Sequence, residues 1–422
     1  MKMIIRNAHI GEDKELKDIF IENGKIIKIG KIEEKAEIEI DADGKLVSPP
    51  FVDPHVHLDA VLTVGDPQYN ISGTLWEGIE IWSKRKLKLT HEDVKKRAKE
   101  ALKWAVAQGI LKVRTHVDVC DPELTALKAM VEVKQEMKEL VDVQIVSFPQ
   151  EGIVSFPDGE NLMRKSLEIG ADIVGGIPHY EFSRDDGIKS IDIIMDLAKS
   201  FDKDIDVHID ETDDDQSRFV EYLAAKTIKE NYFGRVTASH ITAMHSYNNA
   251  YAYKLMSVFK KAQLNVIANP LDNIALQGRF DNYPIRRGMT RIKELLKSGI
   301  NVGLGHDSVM DPWYPLGRYN MLQVAFMALN VGHMTGYNEI NEIFDAITYN
   351  SAKLMNLSDY GIKEGNKADL IILNAPSKIE AIRLRSEVLY VIKNGNIIAK
   401  TTPAKSYVND EEISFRVIGI YE

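Results

Sequence analysis

The chain has one cysteine, Cys120, among 422 residues. An intrachain disulfide is therefore impossible, and so is any zinc site built on several thiolates. The nucleobase deaminases that hold zinc through one histidine and two cysteines are excluded with it. Cys120 itself reads as an inert buried thiol. No apolar run reaches the roughly 18 residues that a membrane-spanning helix needs, and Met1-Lys2-Met3-Ile4-Ile5 turns polar too soon for a secretory signal. A cytoplasmic location is expected. Basic excess is missing too: 53 Lys and Arg stand against 63 Asp and Glu, for a formal charge of −10. That balance argues against nucleic acid or an anionic membrane as partner, and Lys84-Arg85-Lys86 reads as a solvated helix face. Low-complexity tracts and fixed-period repeats are absent as well. A small neutral substrate suits what is left.

What is present is an ordinary globular composition, 44% apolar and 27% charged. Residues 1–49 are rich in short strand signals. Ile19-Phe20-Ile21-Glu22-Asn23-Gly24-Lys25-Ile26-Ile27 predicts a hairpin whose Asn-Gly turn takes two residues at positive φ. Leu389-Tyr390-Val391-Ile392-Lys393-Asn394-Gly395-Asn396-Ile397-Ile398 repeats the pattern at the far end. The two ends, 1–49 and 361–422, are expected to build one small β-sandwich domain, and Ser48-Pro49-Pro50 marks the exit from its first part. Between 50 and 360, β-like and helical runs alternate. Strands are expected around 51–57, 110–117, 141–148, 173–177, 205–209, 236–240, 264–268 and 300–306. In the helix before the second of these, Thr90 is positioned to cap, Val94, Ala98, Leu102 and Ala105 share a face, and Gly109 is a stop. Eight βα units over roughly 310 residues is the arithmetic of a (β/α)8 barrel with insertions, whose site lies at the C-terminal strand ends.

The polar residues at those ends form a dispersed metal-hydrolase set. His55 and His57, at i and i+2 on an extended strand, point to one face roughly 6.5–7 Å apart along the backbone. Two imidazoles so placed can share one ion, and His208 at the end of the fifth strand is the third candidate. Neutral imidazole suits zinc or iron(II), and a carboxylate completes the sphere. Asp307, ending the eighth strand, can bind the metal while accepting a proton from water. Glu211, in the loop after His208, is expected to have a raised pKa and to shuttle protons. His240, ending the sixth strand, is placed to orient or deprotonate the attacking water. His306 faces the opposite side from Asp307 and reads as structural. Asp210 and Asp213–Asp215 read as supporting or surface charge. The fourth strand region, 170–179, has no lysine to bridge two ions, which favours one metal and attack on an amidine-like ring carbon with loss of ammonia.

These residues lie in longer stretches that resemble the bacterial cytosine deaminases of the amidohydrolase superfamily over almost the whole chain. The most specific are Phe148-Pro149-Gln150-Glu151-Gly152-Ile153, Asp210-Glu211-Thr212-Asp213-Asp214-Asp215-Gln216-Ser217-Arg218-Phe219 and Thr242-Ala243-Met244-His245-Ser246-Tyr247-Asn248. Leu276-Gln277-Gly278-Arg279-Phe280-Asp281 and Asp311-Pro312-Trp313-Tyr314-Pro315-Leu316-Gly317 add to them. The resemblance implies one divalent ion, Fe2+ or Zn2+, on His55, His57, His208 and Asp307. It implies that Gln150 reads the carbonyl and N–H edge of the pyrimidine and that Glu211 protonates the ring nitrogen beside the amino-bearing carbon. His240 and Asp307 would activate water, and Phe148 and Trp313 would line the pocket. It further implies hydrolysis of cytosine to uracil and ammonia, a place in pyrimidine salvage, and a homo-oligomer.

One position departs from the family pattern. Where the well-known cytosine deaminases carry a second aspartate after the metal-binding one, this chain has Ser308. A shorter, uncharged side chain leaves room for a C5 substituent such as the methyl of 5-methylcytosine, although a water filling the gap would leave cytosine preferred. The alternatives are other amino-substituted rings, namely isoguanine, creatinine or a triazine. A ring-opening hydantoinase would need two metals, and a scaffold that had lost its chemistry would lack ligands that are all in place here.

Overall fold

A computed structural model describes residues 1–11 and 15–415, so 416–422 of the expected terminal β domain lie outside the described residues. Eight strands run in parallel through the centre: β1 (Phe51–Val56), β2 (Ile110–Asp118), β3 (Asp142–Phe148), β4 (Ile173–Val174), β5 (Asp204–Ile209), β6 (Val236–His240), β7 (Asn265–Ala268) and β8 (Val302–Leu304). Each pairs with its neighbour in chain order, with helices between them, as the alternation in the sequence predicts. The expected helix is the observed His91–Ala107, with the Asp93 N–H donating to Thr90 Oγ1 at 3.2 Å. Its Val94, Ala98, Leu102 and Ala105 are all fully buried. Each large aliphatic side chain so removed from water contributes about 1.5–3 kcal/mol.

The ring closes through one residue. The Asp307 N–H donates to the His55 carbonyl at 2.7 Å, and its own carbonyl accepts from the His57 N–H at 3.1 Å. β8 itself is shorter than expected, because the chain turns at Asp307, whose φ is 67°. β4 is also short. Its extension runs through Gly175 and Gly176 into a 3-10 turn at Pro178–Tyr180, and proline withholds the N–H that a longer ladder needs.

The chain ends form a second, eight-stranded sheet. Its axis is Lys2–Ile10, which pairs with Lys17–Glu22 and Ile38–Asp41, then with Leu46–Ser48. Asn7, at φ 51°, and a bulge between Ile5 and Ala8 bend this strand. The sandwich expected from the sequence is realised as two halves of one bent sheet, sharing a core of Met3, Ile5, Ile19, Ile21, Leu370, Ile372 and Ile392. Both Asn-Gly turns take positive φ, Asn23 at 50° with Gly24 at 77°, and Asn394 at 48° with Gly395 at 73°. The two turns touch, so a Cβ on Gly24 would meet the Asn394 carbonyl oxygen at 3.1 Å. Lys112 on β2 and Lys393 of the terminal sheet tie the two bodies together, Lys112 to Asp369 and Lys393 to Asp142, both at 2.8 Å. No helix among the described residues is long and apolar enough to cross a membrane.

Candidate active site

Four buried side chains from three barrel strand ends converge on one point: His55, His57, His208 and Asp307 each bring a ligand atom within 4.8 Å of the others. His55 Nε2 and His57 Nε2 both lie 3.1 Å from His208 Nε2, and each lies 3.5 Å from Asp307 Oδ1. His208 Nε2 can donate at most one hydrogen, so hydrogen bonding alone cannot satisfy both approaches. A cation at the centre can. Burial is the main force that lowers all three imidazoles, His55 and His208 well below their ordinary value and His57 to about 4. They are neutral and ready to coordinate. Burial, then the Asp272 and Glu211 carboxylates, pushes Asp307 well above the ordinary carboxylate range. A divalent ion among the imidazoles offsets that penalty.

His55 is held by a buried hydrogen-bond chain. His55 Nδ1 lies 3.1 Å from Ser239 Oγ, which donates to Asp206 Oδ1 at 2.6 Å. The serine oxygen is thus left to accept from Nδ1–H, and Nε2 keeps its lone pair for the metal. Asp206 also pairs with the buried Arg114 at 2.8 Å. The His116 ring, 4.0 Å from that of His55, forms part of the floor.

Glu211 and His240 form a second buried unit, Oε1 to Nδ1 at 3.1 Å, with His240 Nδ1 3.9 Å from Asp307 Oδ2. Asn273 Nδ2 lies 3.1 Å from His240 Nδ1 and steadies the ring. The raised pKa expected of Glu211 is not found. Burial pushes it up, but the adjacent His240, with His179 and His57, outweighs burial and holds the carboxyl below its ordinary value. Asp210 accepts from the Phe219 and Val220 N–H groups at 3.0 and 2.9 Å, pinning the Glu211 loop to the helix Phe219–Lys229. Asp210, His240 and Asp307 all take positive φ, at 52°, 71° and 67°, a concentration of backbone strain of the kind found at functional sites.

Above the cluster lies a small pocket lined in part by Gln150, Glu211, Ser308, Trp313, Leu75 and Leu276. Gln150, Ser308 and Trp313 are buried there. Phe148 is not on the wall. Its ring stacks on that of His208, centroids 4.1 Å apart at 21°. Trp313 finds room because Gly78, in the helix Leu75–Lys86, has no side chain; a Cβ there would meet Trp313 Nε1 at 2.6 Å. His306 faces away, its Nδ1 2.8 Å from the Ser308 carbonyl oxygen. Cys120 is buried, and burial raises its thiol well above its ordinary value, as an inert thiol requires.

Ser239, Asn273, Leu75 and Asp272 also belong to the site, and motif reading passed over them. Asp272 and Ser239 share with the other site residues a place at or just past a barrel strand end, the one signal that could have found them.

A buried ring of three histidines and one aspartate at the C-terminal mouth of a parallel barrel, beside a carboxylate–imidazole pair, defines a hydrolase site able to bind a metal. The amidohydrolase family model matches residues 39–399, and the chain belongs to that family. It is 46% identical to a 5-methylcytosine deaminase from Klebsiella pneumoniae, solved with 5-fluorocytosine; the match covers 97% of this chain and 99% of that one, with a TM-score of 0.94. The same enzyme with phosphonocytosine superposes with a TM-score of 0.93, covering 97% of this chain and 100% of that one at 46% identity. An N-isopropylammelide isopropyl amidohydrolase of a Pseudomonas species is 35% identical over 410 residues, 94% of this chain and 97% of the relative.

Proposed function

We propose that the protein hydrolyses cytosine and C5-substituted cytosines, 5-methylcytosine among them, to the corresponding uracil and ammonia. The observation that carries this reading is a pocket lined by Gln150, Glu211 and Ser308 beside the histidine–aspartate cluster. It stands in a chain 46% identical to an enzyme solved with 5-fluorocytosine.

His55, His57, His208 and Asp307 would hold one ion, iron(II) or zinc, which when bound acts as a Lewis acid that makes water nucleophilic at neutral pH. Asp307 and His240 hold that water and take up the proton it loses. Glu211, ionised at rest, receives that proton through His240 and gives it to the ring nitrogen beside the amino-bearing carbon; the second proton of the water then passes by way of Asp307 and Glu211 to the departing amine. Gln150 faces the carbonyl and N–H edge. Trp313, Leu75 and Leu276 supply apolar contact and keep bulk water out. Ser308 leaves space at C5. On this reading residues 50–360 are the catalytic barrel, and 1–49 with 361–422 the terminal β domain, in a cytoplasmic homo-oligomer.

Ammonia release from purified, metal-analysed protein tests the reading, with cytosine and 5-methylcytosine side by side. Turnover of either with about one metal per chain supports it. Silence on both overturns it. A second reading, a triazine amine as substrate, is favoured by the 35% identity to the N-isopropylammelide hydrolase, and the same assay with N-isopropylammelide separates the two.

A further inference from the structure

One buried acid beside the cavity has no part in the chemistry above. Asp272 stands in the short helix Pro270–Leu276 after β7, is 1% exposed and lines the cavity together with Ser308 and Asp307. Its Oδ2 accepts the Ser308 hydroxyl at 2.7 Å. Its Oδ1 is buried with no hydrogen-bond partner among the described residues. A carboxylate oxygen kept dry and unpaired is costly unless a ligand brings a donor. Asp311 nearby also has a buried, unpartnered Oδ2, but its Oδ1 accepts the Trp313 and Tyr314 N–H groups at 3.0 and 3.1 Å and it does not line the cavity, so position on the cavity is what sets Asp272 apart.

On the deaminase reading, on which this inference rests, the donors and acceptors of the substrate can be matched in turn. Gln150 faces the carbonyl and ring N–H. Glu211 serves the ring nitrogen, and Asp307 with His240 serves water. The exocyclic amino group is a donor with no acceptor assigned to it. We propose that Asp272 is that acceptor, for the amino group and for the ammonia it becomes, with the Ser308 hydroxyl holding the carboxylate in place. Two tasks are then divided between two residues. The short Ser308 clears space at C5, while Asp272, on the next element, supplies an acceptor oxygen to the amino side.

The test compares wild type, Asp272→Asn and Asp272→Ala. The readouts are kcat/KM for both cytosines, metal content, and inhibition by pyrimidin-2-one, which has the ring and carbonyl but no amino group. Asn is close to isosteric and can still accept from Ser308, so it protects against a variant that merely misfolds. Both variants should keep their metal and lose roughly 10- to 100-fold in kcat/KM, as expected for a charge-assisted hydrogen bond, while inhibition by pyrimidin-2-one stays near the wild-type value. Parallel losses of inhibitor binding and turnover would make Asp272 structural and overturn the inference, and so would full activity in both variants. A wild-type protein that holds its metal but deaminates neither cytosine refutes the deaminase reading itself, and the inference falls with it.

Discussion

Replacing Glu211 by glutamine keeps the size of the side chain and removes its charge and its transferable proton. Glu211 is 3% exposed, lies 3.1 Å from His240 Nδ1, and is not one of the four converging ligand residues. Metal content and fold should therefore survive, and the loss should fall on kcat. A positioned general acid–base contributes about 10²–10⁴-fold. Because the carboxylate is dry, no solvent donor can stand in for it. The expected loss is thus in the upper part of that range, about 10³–10⁴-fold, or about 4–5.5 kcal/mol of barrier. Glu211→Asp retains the proton but withdraws it by about one methylene, and a displacement of about 1 Å costs on the order of 100-fold. The assay is steady-state ammonia release, with metal content measured on the same samples. A glutamine variant that keeps more than about a tenth of wild-type kcat at full metal occupancy refutes the assignment, because another group must then carry the proton.

Ser239→Ala removes the acceptor behind His55 and frees its tautomer; metal affinity should fall about 10- to 100-fold in chelator competition, and unchanged affinity would show that Asp206 and Ser239 do not orient the ligand. Gly78→Ala drives a methyl into the Trp313 indole, so KM for the ring should rise roughly tenfold with kcat less affected, as read from saturation curves. Ser308→Asp alone would set a second carboxylate against Asp272 Oδ2 and is expected to depress turnover of both cytosines. Combined with Asp272→Asn, cytosine turnover should return while 5-methylcytosine turnover does not, measured as the ratio of kcat/KM values. Burial, chiefly, lowers His179 to about 4, so the folded state binds fewer protons than the unfolded one below the ordinary histidine value near 6.5. The stability it contributes is complete above about pH 6.5 and is lost as pH falls toward 4, by about 2 kcal/mol at about pH 5. His179→Gln should flatten that part of the decline in urea unfolding followed at about pH 7 and pH 5, and identical slopes for variant and wild type would refute the burial argument.

The parts of this protein that follow local rules were legible in the chain. Asn23-Gly24 and Asn394-Gly395 set their hairpin turns because few other pairs accept two residues at positive φ. Thr90 and the apolar stripe of the following helix fixed that element before any packing was known. The convergence of His55, His57, His208 and Asp307 was legible for a similar reason, since a strand end at the mouth of a barrel is a position that sequence order defines. Bending of Lys2–Ile10 into two halves of one sheet was not legible, because it depends on which strands compete for each edge.

Within the site the division is sharper. Residue identity alone determined that His55, His57, His208 and Asp307 could share an ion, and that Glu211 and His240 could move protons. Only tertiary structure decided that Phe148 stacks on His208 instead of facing the cavity. It also decided that His240 pulls the pKa of Glu211 down against burial, and that Asp272 reaches Ser308 from the next element. Side-chain direction and electrostatic sign depend on distances of 3–4 Å between residues far apart in sequence. No local pattern encodes those distances; they are set when eight strands close into one ring.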